Sequence, residues 1–278
     1  METGSLHISS YLSSPAVAAA TQDLAGGLCR TELWSRLGWL EVKRRYRRTV
    51  IGPFWNSLSL AAYAVGIGLV GSGLWNQDIH SYLPYLISGL LVWNMISTII
   101  TESCTLFVAS HGLLRNIRFE YSVLVYALLW RNIIVFWHNL IVYFCIVIIL
   151  KPSLLHPIGL LALPGLACVI VASAPIALLC GMLCLRFRDV QSLVTTALSI
   201  AMLITPIFWP VDALSGLHRT VFVGLNPLYH LMELVRAPLL GEVPAALNYI
   251  VVFVIMIVVG VLTFDIFRKF RKRIAFWI

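Results

Sequence analysis

The sequence KRRYRR at residues 43–48, followed by GPFW at residues 52–55, determines how the rest of the chain is placed. Five of the six residues at 43–48 are cationic, and no acidic or basic residue then occurs until Asp78. Lys and Arg favour the cytoplasmic head-group region of a bilayer, and Tyr and Trp favour its interface. A proline such as Pro53 is tolerated in the first turn of a helix, where its missing N–H costs no hydrogen bond. The stretch therefore predicts a helix that enters a membrane from the cytoplasmic side.

The composition indicates an integral membrane protein. Of the 278 residues, 60% are apolar and only 12% are charged, and the mean hydropathy is +0.90. Soluble domains are about half apolar and about a quarter charged. The net charge is +8, but the basic residues flank the apolar runs, so we expect no binding to nucleic acid. The six cysteines have no C-x-x-C or zinc-binding spacing, and we interpret them as small apolar side chains.

The N-terminal region divides into a tail and an amphipathic segment. Residues 1–30 begin with a Ser- and Ala-rich stretch, and we predict an N-terminal tail there. Residues 31–51 are predicted to form a cytoplasmic interfacial helix, because Leu33, Leu37 and Leu40 share one helical face and charged residues share the other. A soluble helix packed on a partner protein is the alternative.

Residues 52–278 are predicted to form an all-α transmembrane domain with six spans. A span needs about 20 apolar residues to cross a hydrocarbon core of about 30 Å. The segments that meet this requirement are approximately residues 52–74, 82–107, 121–150, 157–185, 192–208 and 245–267. Six spans place both termini on one side. Of the 20 Lys and Arg residues, 16 flank the spans on the side of the termini, three flank them on the other side, and Arg131 lies within a span. Because Lys and Arg favour the cytoplasmic side, this distribution predicts that both termini are cytoplasmic.

The segment between the fifth and sixth spans, residues 209–244, is unusual. It is too apolar for a solvated loop, and Pro227 and Pro238 interrupt it. We predict two short helices, residues 221–225 and 228–240, that form an external re-entrant helical hairpin. Irregular backbone at membrane depth is tolerated only where protein or a water-filled cavity surrounds it. A helix lying flat on the external surface is the alternative.

Two ionisable residues inside the predicted spans are functional candidates, because a charge in a membrane is costly. Glu102 lies near the cytoplasmic end of the second span, and Arg131 lies about ten residues into the third. The two spans are antiparallel neighbours, so the sequence predicts a buried polar pair. The sequence leaves open whether this pair breaks and re-forms as the protein works or is a static link between helices.

Aromatic side chains form a second group of candidates. Trp93 lies too deep for an interfacial belt, and Phe208 and Trp209 lie at the proline-broken end of the fifth span. With Tyr82 and Tyr85, they are predicted to line or gate a pathway in which flat rings could stack on sugar faces. An ordinary interfacial belt is the alternative, and for Tyr82 it is favoured.

Six short segments, taken in this order, form a recognisable set. They are RYRRTVIGPFW at 45–55, YLPY at 82–85, GLLVW at 89–93, LRFRDV at 185–190, TPIFWP at 205–210 and LNPL at 225–228. The set resembles ABC-2-type permeases that export polysaccharides such as O-antigen, capsule and teichoic acid, and the resemblance covers about residues 31–278. It implies a homodimer in the bacterial inner (plasma) membrane, a lipid-linked glycan as substrate, and a separate cytoplasmic ATPase.

The chain lacks the motifs of nucleotide binding and catalysis. It has no G-x-x-x-x-G-K-[ST], G-x-S-x-G or H-E-x-x-H sequence. We therefore predict no catalytic residue, cofactor site or metal site, and the resemblance assigns ATP and Mg to the partner ATPase. Force from that partner would enter through residues 111–120, where a short helix could fit a groove. The candidate coupling residues are Leu113, Leu114, Arg115, Ile117 and Arg118. A solvated turn is the alternative.

Three functions remain open at this point. The leading hypothesis is the permease subunit of a polysaccharide exporter. An ABC-2 permease for a drug or a lipid is the second. A membrane-embedded transferase acting on lipid-linked sugars is the third, and its only nearby reactive candidates are Glu102, Arg131 and His138.

Overall fold

The computed structural model describes residues 15–47, 49–52 and 54–277, and these residues form α-helices joined by short turns, with no β-strand among them. The helices are α1 Pro15–Cys29, α2 Thr31–Tyr46, α3 Phe54–Leu74, α4 Ile79–Ser103, α5 Leu106–Ala109, α6 His111–Asn116, α7 Ser122–Leu150, α8 Ala162–Arg186, α9 Val190–Ile204, α10 Gly216–Arg219, α11 Pro227–Leu239 and α12 Ala246–Trp277. The prediction of an all-α membrane protein is confirmed.

Five segments of the described chain are long and apolar enough to cross a membrane. They are α3, α4, α7, α12 and the segment Pro157–Arg186, which consists of a 3-10 turn and α8. The predicted fifth span, residues 192–208, differs. Helix α9 has only 15 residues and ends at Ile204, so it is about 22 Å long against a hydrocarbon core of about 30 Å. Thr205 is extended because the following Pro206 disfavours helical backbone before it.

Helix α4 lies at the centre of the molecule. It packs against α3, α7, α8 and α11. In its apolar stretch of 18 residues, 78% of the residues are buried, compared with 17% in the corresponding stretch of α12. The other long helices surround it and expose apolar faces, as expected for helices in contact with lipid. A displacement of either end of α4 would therefore disturb the packing of the core.

Part of the predicted N-terminal tail is helical instead. Residues 15–29 form α1, which packs against α7 and α12, while residues 1–14 lie outside the described part of the chain. The buried residues of α1 recur every three or four positions, which is the spacing of one helical face. They are Val17, Ala20, Asp23 and Gly27. Because these residues are mostly small, the apolar periodicity of α1 is weak in the sequence.

Helix α2 covers the first part of the segment predicted as an interfacial helix. It packs on α7 so closely that a Cβ at Gly38 would lie 2.7 Å from the Ala127 carbonyl oxygen. The predicted apolar face is not the face that packs on the protein, since Leu33 and Leu37 are only half-buried and Leu40 is exposed. That face is free to contact lipid, and the interfacial position of α2 stays a prediction.

The segment after α9 folds largely as two short helices. A π-turn at Thr220–Gly224 precedes α11. The Asn226 side chain accepts hydrogen bonds from the backbone N–H of Leu228 and Tyr229 at 3.0 and 3.3 Å, which caps the first turn of α11. Helix α11 is buried against α4, α8 and α12. The helical content agrees with the predicted hairpin, and its external re-entrant position stays a prediction.

Candidate functional site

Four charged side chains join α2, α4 and α7 in one connected group, which we call the ion cluster. Arg131 of α7 pairs through Nη1 with Glu41 and through Nη2 with Glu102 of α4. Glu102 also pairs with Arg45, which lies four residues after Glu41 on α2. The structure thus brings Glu102 and Arg131 together and adds two partners from α2.

The ion cluster is electrically balanced and largely buried. The Arg131 side chain is 12% exposed and Glu102 is 20% exposed, whereas Arg45 is 45% exposed. Burial lowers the pKa of Arg45, but its hydrogen bond to Glu102 and the charge of that carboxylate outweigh this effect and raise the pKa above its usual value. Because two carboxylates face two guanidinium groups, loss of any member leaves one charge of the cluster uncompensated.

A second group of side chains surrounds the break in the chain at residues 205–210, and we call it the break cluster. The Tyr85 hydroxyl lies 3.0 Å from the Pro206 carbonyl oxygen and 3.1 Å from that of Trp209. The Tyr82 hydroxyl donates to the Phe208 carbonyl oxygen at 2.5 Å. The backbone carbonyls of the non-helical segment after α9 are therefore held by two tyrosines of α4.

Arg236 of α11 completes the break cluster. Its side chain is 1% exposed, and its Nη1 donates to the Pro206 carbonyl oxygen at 2.6 Å. Its Nε and Nη2 donate to Glu233 at 2.9 and 2.5 Å. The guanidinium carbon lies 4.6 Å from the ring centroid of Tyr85 and 5.6 Å from that of Tyr229, within the range of cation–π attraction. A buried arginine of α11 therefore also holds the backbone of the break.

The predicted pathway residues fall into different environments. Trp93 is 5% exposed and packs inside the chain, and its role in lining a pathway stays a prediction. Phe208 and Trp209 are partly exposed. Phe208, Tyr82 and Trp75 line one cavity of about 340 Å³ against α3. Tyr82 and Tyr85 act through their hydroxyls as anchors of the break.

The predicted coupling ridge divides into two parts. Leu113 and Leu114 lie in α6, are half-buried and pack against the core. Ile117 lies beyond the end of α6 and is 55% exposed, and its neighbours Arg115 and Arg118 are also exposed. Ile117 is thus the most accessible of the three apolar residues.

Sequence reasoning missed Glu41, Glu233 and Arg236. In the charge count, Arg236 is one of the three basic residues on the side opposite the termini. Its signal was the Glu-x-x-Arg spacing from Glu233, which places the two side chains on one helical face, in a segment predicted to lie at membrane depth. For Glu41 the signal was an acid four residues before Arg45, just before the cationic run at 43–48.

Comparison with known proteins covers both clusters. Residues 32–240 match the family described as ABC-2 type transporter. The O-antigen export system permease protein RfbA of Myxococcus xanthus is 23% identical over 201 residues, which cover 71% of this chain and 76% of that protein. An RfbA protein of Klebsiella pneumoniae is 24% identical over 242 residues, covering 84% and 90%. A second protein of that name from Klebsiella pneumoniae is 23% identical over the same length. Because the family match spans most of the chain, this protein belongs to the ABC-2 type transporter family.

Proposed function

We propose that this chain is the permease subunit of an ABC transporter that exports a lipid-linked polysaccharide across the bacterial inner membrane. The observation that carries the proposal is the similarity to an O-antigen export permease over 84% of this chain and 90% of that protein. In this proposal two copies of the chain form the pathway between them, and both termini are cytoplasmic.

The energy in this proposal comes from a separate ATPase subunit, which binds ATP and Mg. Two parts of the chain are suited to receive force from it. One is the loop around α6, which presents the exposed Ile117 between Arg115 and Arg118. The other is α2, which is tied through the ion cluster to the central helix α4.

The break cluster supports a pathway for a bulky polar substrate. Broken backbone at membrane depth is tolerated beside protein or a water-filled cavity, and here Tyr85 and Arg236 both hold the Pro206 carbonyl oxygen. Phe208 and Trp209 are partly exposed at this break. Flat rings offer weak, repeated contacts that hold no single sugar tightly, which suits a chain that must slide.

A transferase activity finds little support in the same geometry. Glu102 and Arg131 are engaged with each other and with α2. The Nδ1 atom of His138 lies 2.7 Å from the Ile134 carbonyl oxygen of its own helix. These side chains are occupied in structural contacts and are not directed at a common point where a substrate could react.

The experiment is purification of the chain with its ATPase, followed by mass spectrometry of the co-purified lipids. A lipid-linked glycan in the sample supports the proposal, and a phospholipid or a drug-like molecule alone contradicts it. Trp209→Ala should then reduce export without loss of the assembled complex. Trp137→Ala is the matched control, because Trp137 is 45% exposed on α7 and is not a member of the break cluster. Equal effects of the two variants would contradict the role of the break.

A further inference from the structure

The side chain of Asp23 in α1 is completely buried between two other helices. Its Oδ1 accepts a hydrogen bond from the backbone N–H of Ser122 at 3.1 Å. Its Oδ2 accepts from the N–H of Tyr121 at 3.3 Å and from Nε of Arg271 at 2.7 Å. One carboxylate thus joins α1, the start of α7 and the C-terminal part of α12, and it satisfies backbone donors that the first turn of a helix leaves without partners.

Further contacts hold α1 along the same line. Ser122 Oγ donates to the Asp23 carbonyl oxygen at 2.7 Å, and the Tyr126 hydroxyl donates to the Leu24 carbonyl oxygen at 3.1 Å. A Cβ at Gly27 would lie 2.1 Å from Ser122 Oγ, so only glycine permits this approach. Helix α1 is therefore fitted to the start of α7 over its last two turns.

The same contacts reach the loop that we propose receives force from the ATPase. Arg30, directly after α1, pairs with Glu120 at 2.9 Å, and Glu120 is the last residue of the segment 111–120. The Arg271 guanidinium carbon lies 5.6 Å from the ring centroid of Tyr121. Tyr121 in turn meets the ring of Phe107 edge-on at 6.3 Å. The contacts of α1 and Arg271 thus extend to Glu120, at the end of the loop, and through Tyr121 to Phe107 in α5, the helix before the loop.

We propose that α1 and the end of α12 form a clamp that positions the coupling loop, with Asp23 as its positioning residue. The clamp rests on the proposed function, since it acts on the loop that would dock the ATPase. Both helices of the clamp, α1 and α12, lie outside the family match at 32–240, whereas the coupling loop lies within it. The clamp holds Tyr121 and Ser122 at the start of α7. A displacement of the coupling loop by the ATPase therefore moves α7 instead of deforming the loop alone.

The test compares full-length Asp23→Asn with the control Gln22→Asn, because Gln22 is the neighbouring residue and is exposed. Hydrogen–deuterium exchange of the permease alone measures protection of residues 121–124. Asp23→Asn should speed exchange there on the order of tenfold, because a hydrogen bond to a charged acceptor is lost. In the complex with the ATPase, it should reduce permease-stimulated ATP hydrolysis severalfold while the ATPase remains bound. Gln22→Asn should change neither quantity.

Two results would overturn the clamp. Unchanged exchange in Asp23→Asn would show that Asp23 does not hold the start of α7. Faster exchange with unchanged stimulation would show that Asp23 only caps a helix and does not position the loop. If Asp23→Asn fails to fold, Arg271→Gln gives the same test, since Asp23 keeps its two backbone donors and smaller effects in the same direction are expected. A wild-type chain that stimulates no ATPase would refute the proposed function instead. The exchange data would then still show whether Asp23 holds the start of α7.

Discussion

Replacing Arg131 by Gln should be the most damaging single change in the ion cluster. Arg131 is the only member with two carboxylate partners on two different helices, Glu41 on α2 and Glu102 on α4. Its loss leaves two carboxylates and one guanidinium group, so a net negative charge remains where little water reaches. Removing one partner of a buried pair costs about 3–5 kcal/mol, mostly because the other charge is left behind.

The other members of the ion cluster should matter less, in an order set by their exposure. Glu102→Gln leaves Arg131 paired with Glu41, and the cost should be about 1.5–3 kcal/mol for a lost charged hydrogen bond. Arg45→Gln should cost less than about 1 kcal/mol, because Arg45 is 45% exposed and water screens it. In the double variant of Arg131 and Glu102, Glu41 and Arg45 remain four residues apart on α2 and can pair with each other. The double loss should therefore fall short of the sum of the two single losses by about 1–3 kcal/mol.

The assay is unfolding of the purified protein in detergent micelles, followed by circular dichroism. Arg44→Gln is the control, since Arg44 is an exposed base next to Arg45 and its removal changes the net charge equally. A loss of stability in Arg44→Gln as large as that in Arg131→Gln would refute the reasoning. So would strictly additive losses for Arg131 and Glu102, because additivity would mean that the two side chains do not interact.

Three further predictions concern the break, the loop and the topology. Tyr85→Phe should lower the free energy of unfolding by about 0.5–1.5 kcal/mol, because the hydrogen bond to the break is lost. It should also increase ion leak through reconstituted vesicles, and an unchanged leak would contradict this. Ile117→Asp should reduce co-purification of the ATPase without loss of stability, whereas Leu114→Asp should destabilise the chain itself; the reverse pattern would exclude Ile117 from docking. In a cysteine-free background, Cys at position 153 should react with an impermeant thiol reagent from outside intact cells, and Cys at 273 should not.

The long helices were predictable from the sequence because a membrane imposes a simple rule on them. An apolar run such as residues 121–150 satisfies its backbone internally and needs no partner to specify it, and the structure has a helix at Ser122–Leu150. Boundaries set by tertiary contacts were less predictable. Helix α12 continues to Trp277, ten residues beyond the predicted end at 267, because its basic final turns pack against α1.

The candidate site was predictable only where both partners carried an unusual signal. Glu102 and Arg131 are charges within apolar runs, so each draws attention alone and their pairing follows from antiparallel neighbours. Asp23 gave no such signal, because an acid near the N-terminus is ordinary and its partner Arg271 lies 248 positions away. Contacts of this kind depend on how helices pack, which hydrophobic periodicity does not record.

The ion cluster and the break cluster are joined by one helix, and this limits how force can pass between them. Glu102 lies near one end of α4 and Tyr85 near the other, about 26 Å apart along the helix axis. Helix α4 is packed on nearly all sides, and such a core has little free volume to absorb a shift. A displacement of α2 therefore acts on α4 through Glu102, and α4 can respond mainly as a rigid rod. At its far end the rod carries the tyrosine hydroxyls that hold Pro206 and Phe208. We expect a shift of α4 to alter those hydrogen bonds first, since they join α4 to backbone that no helix stabilises.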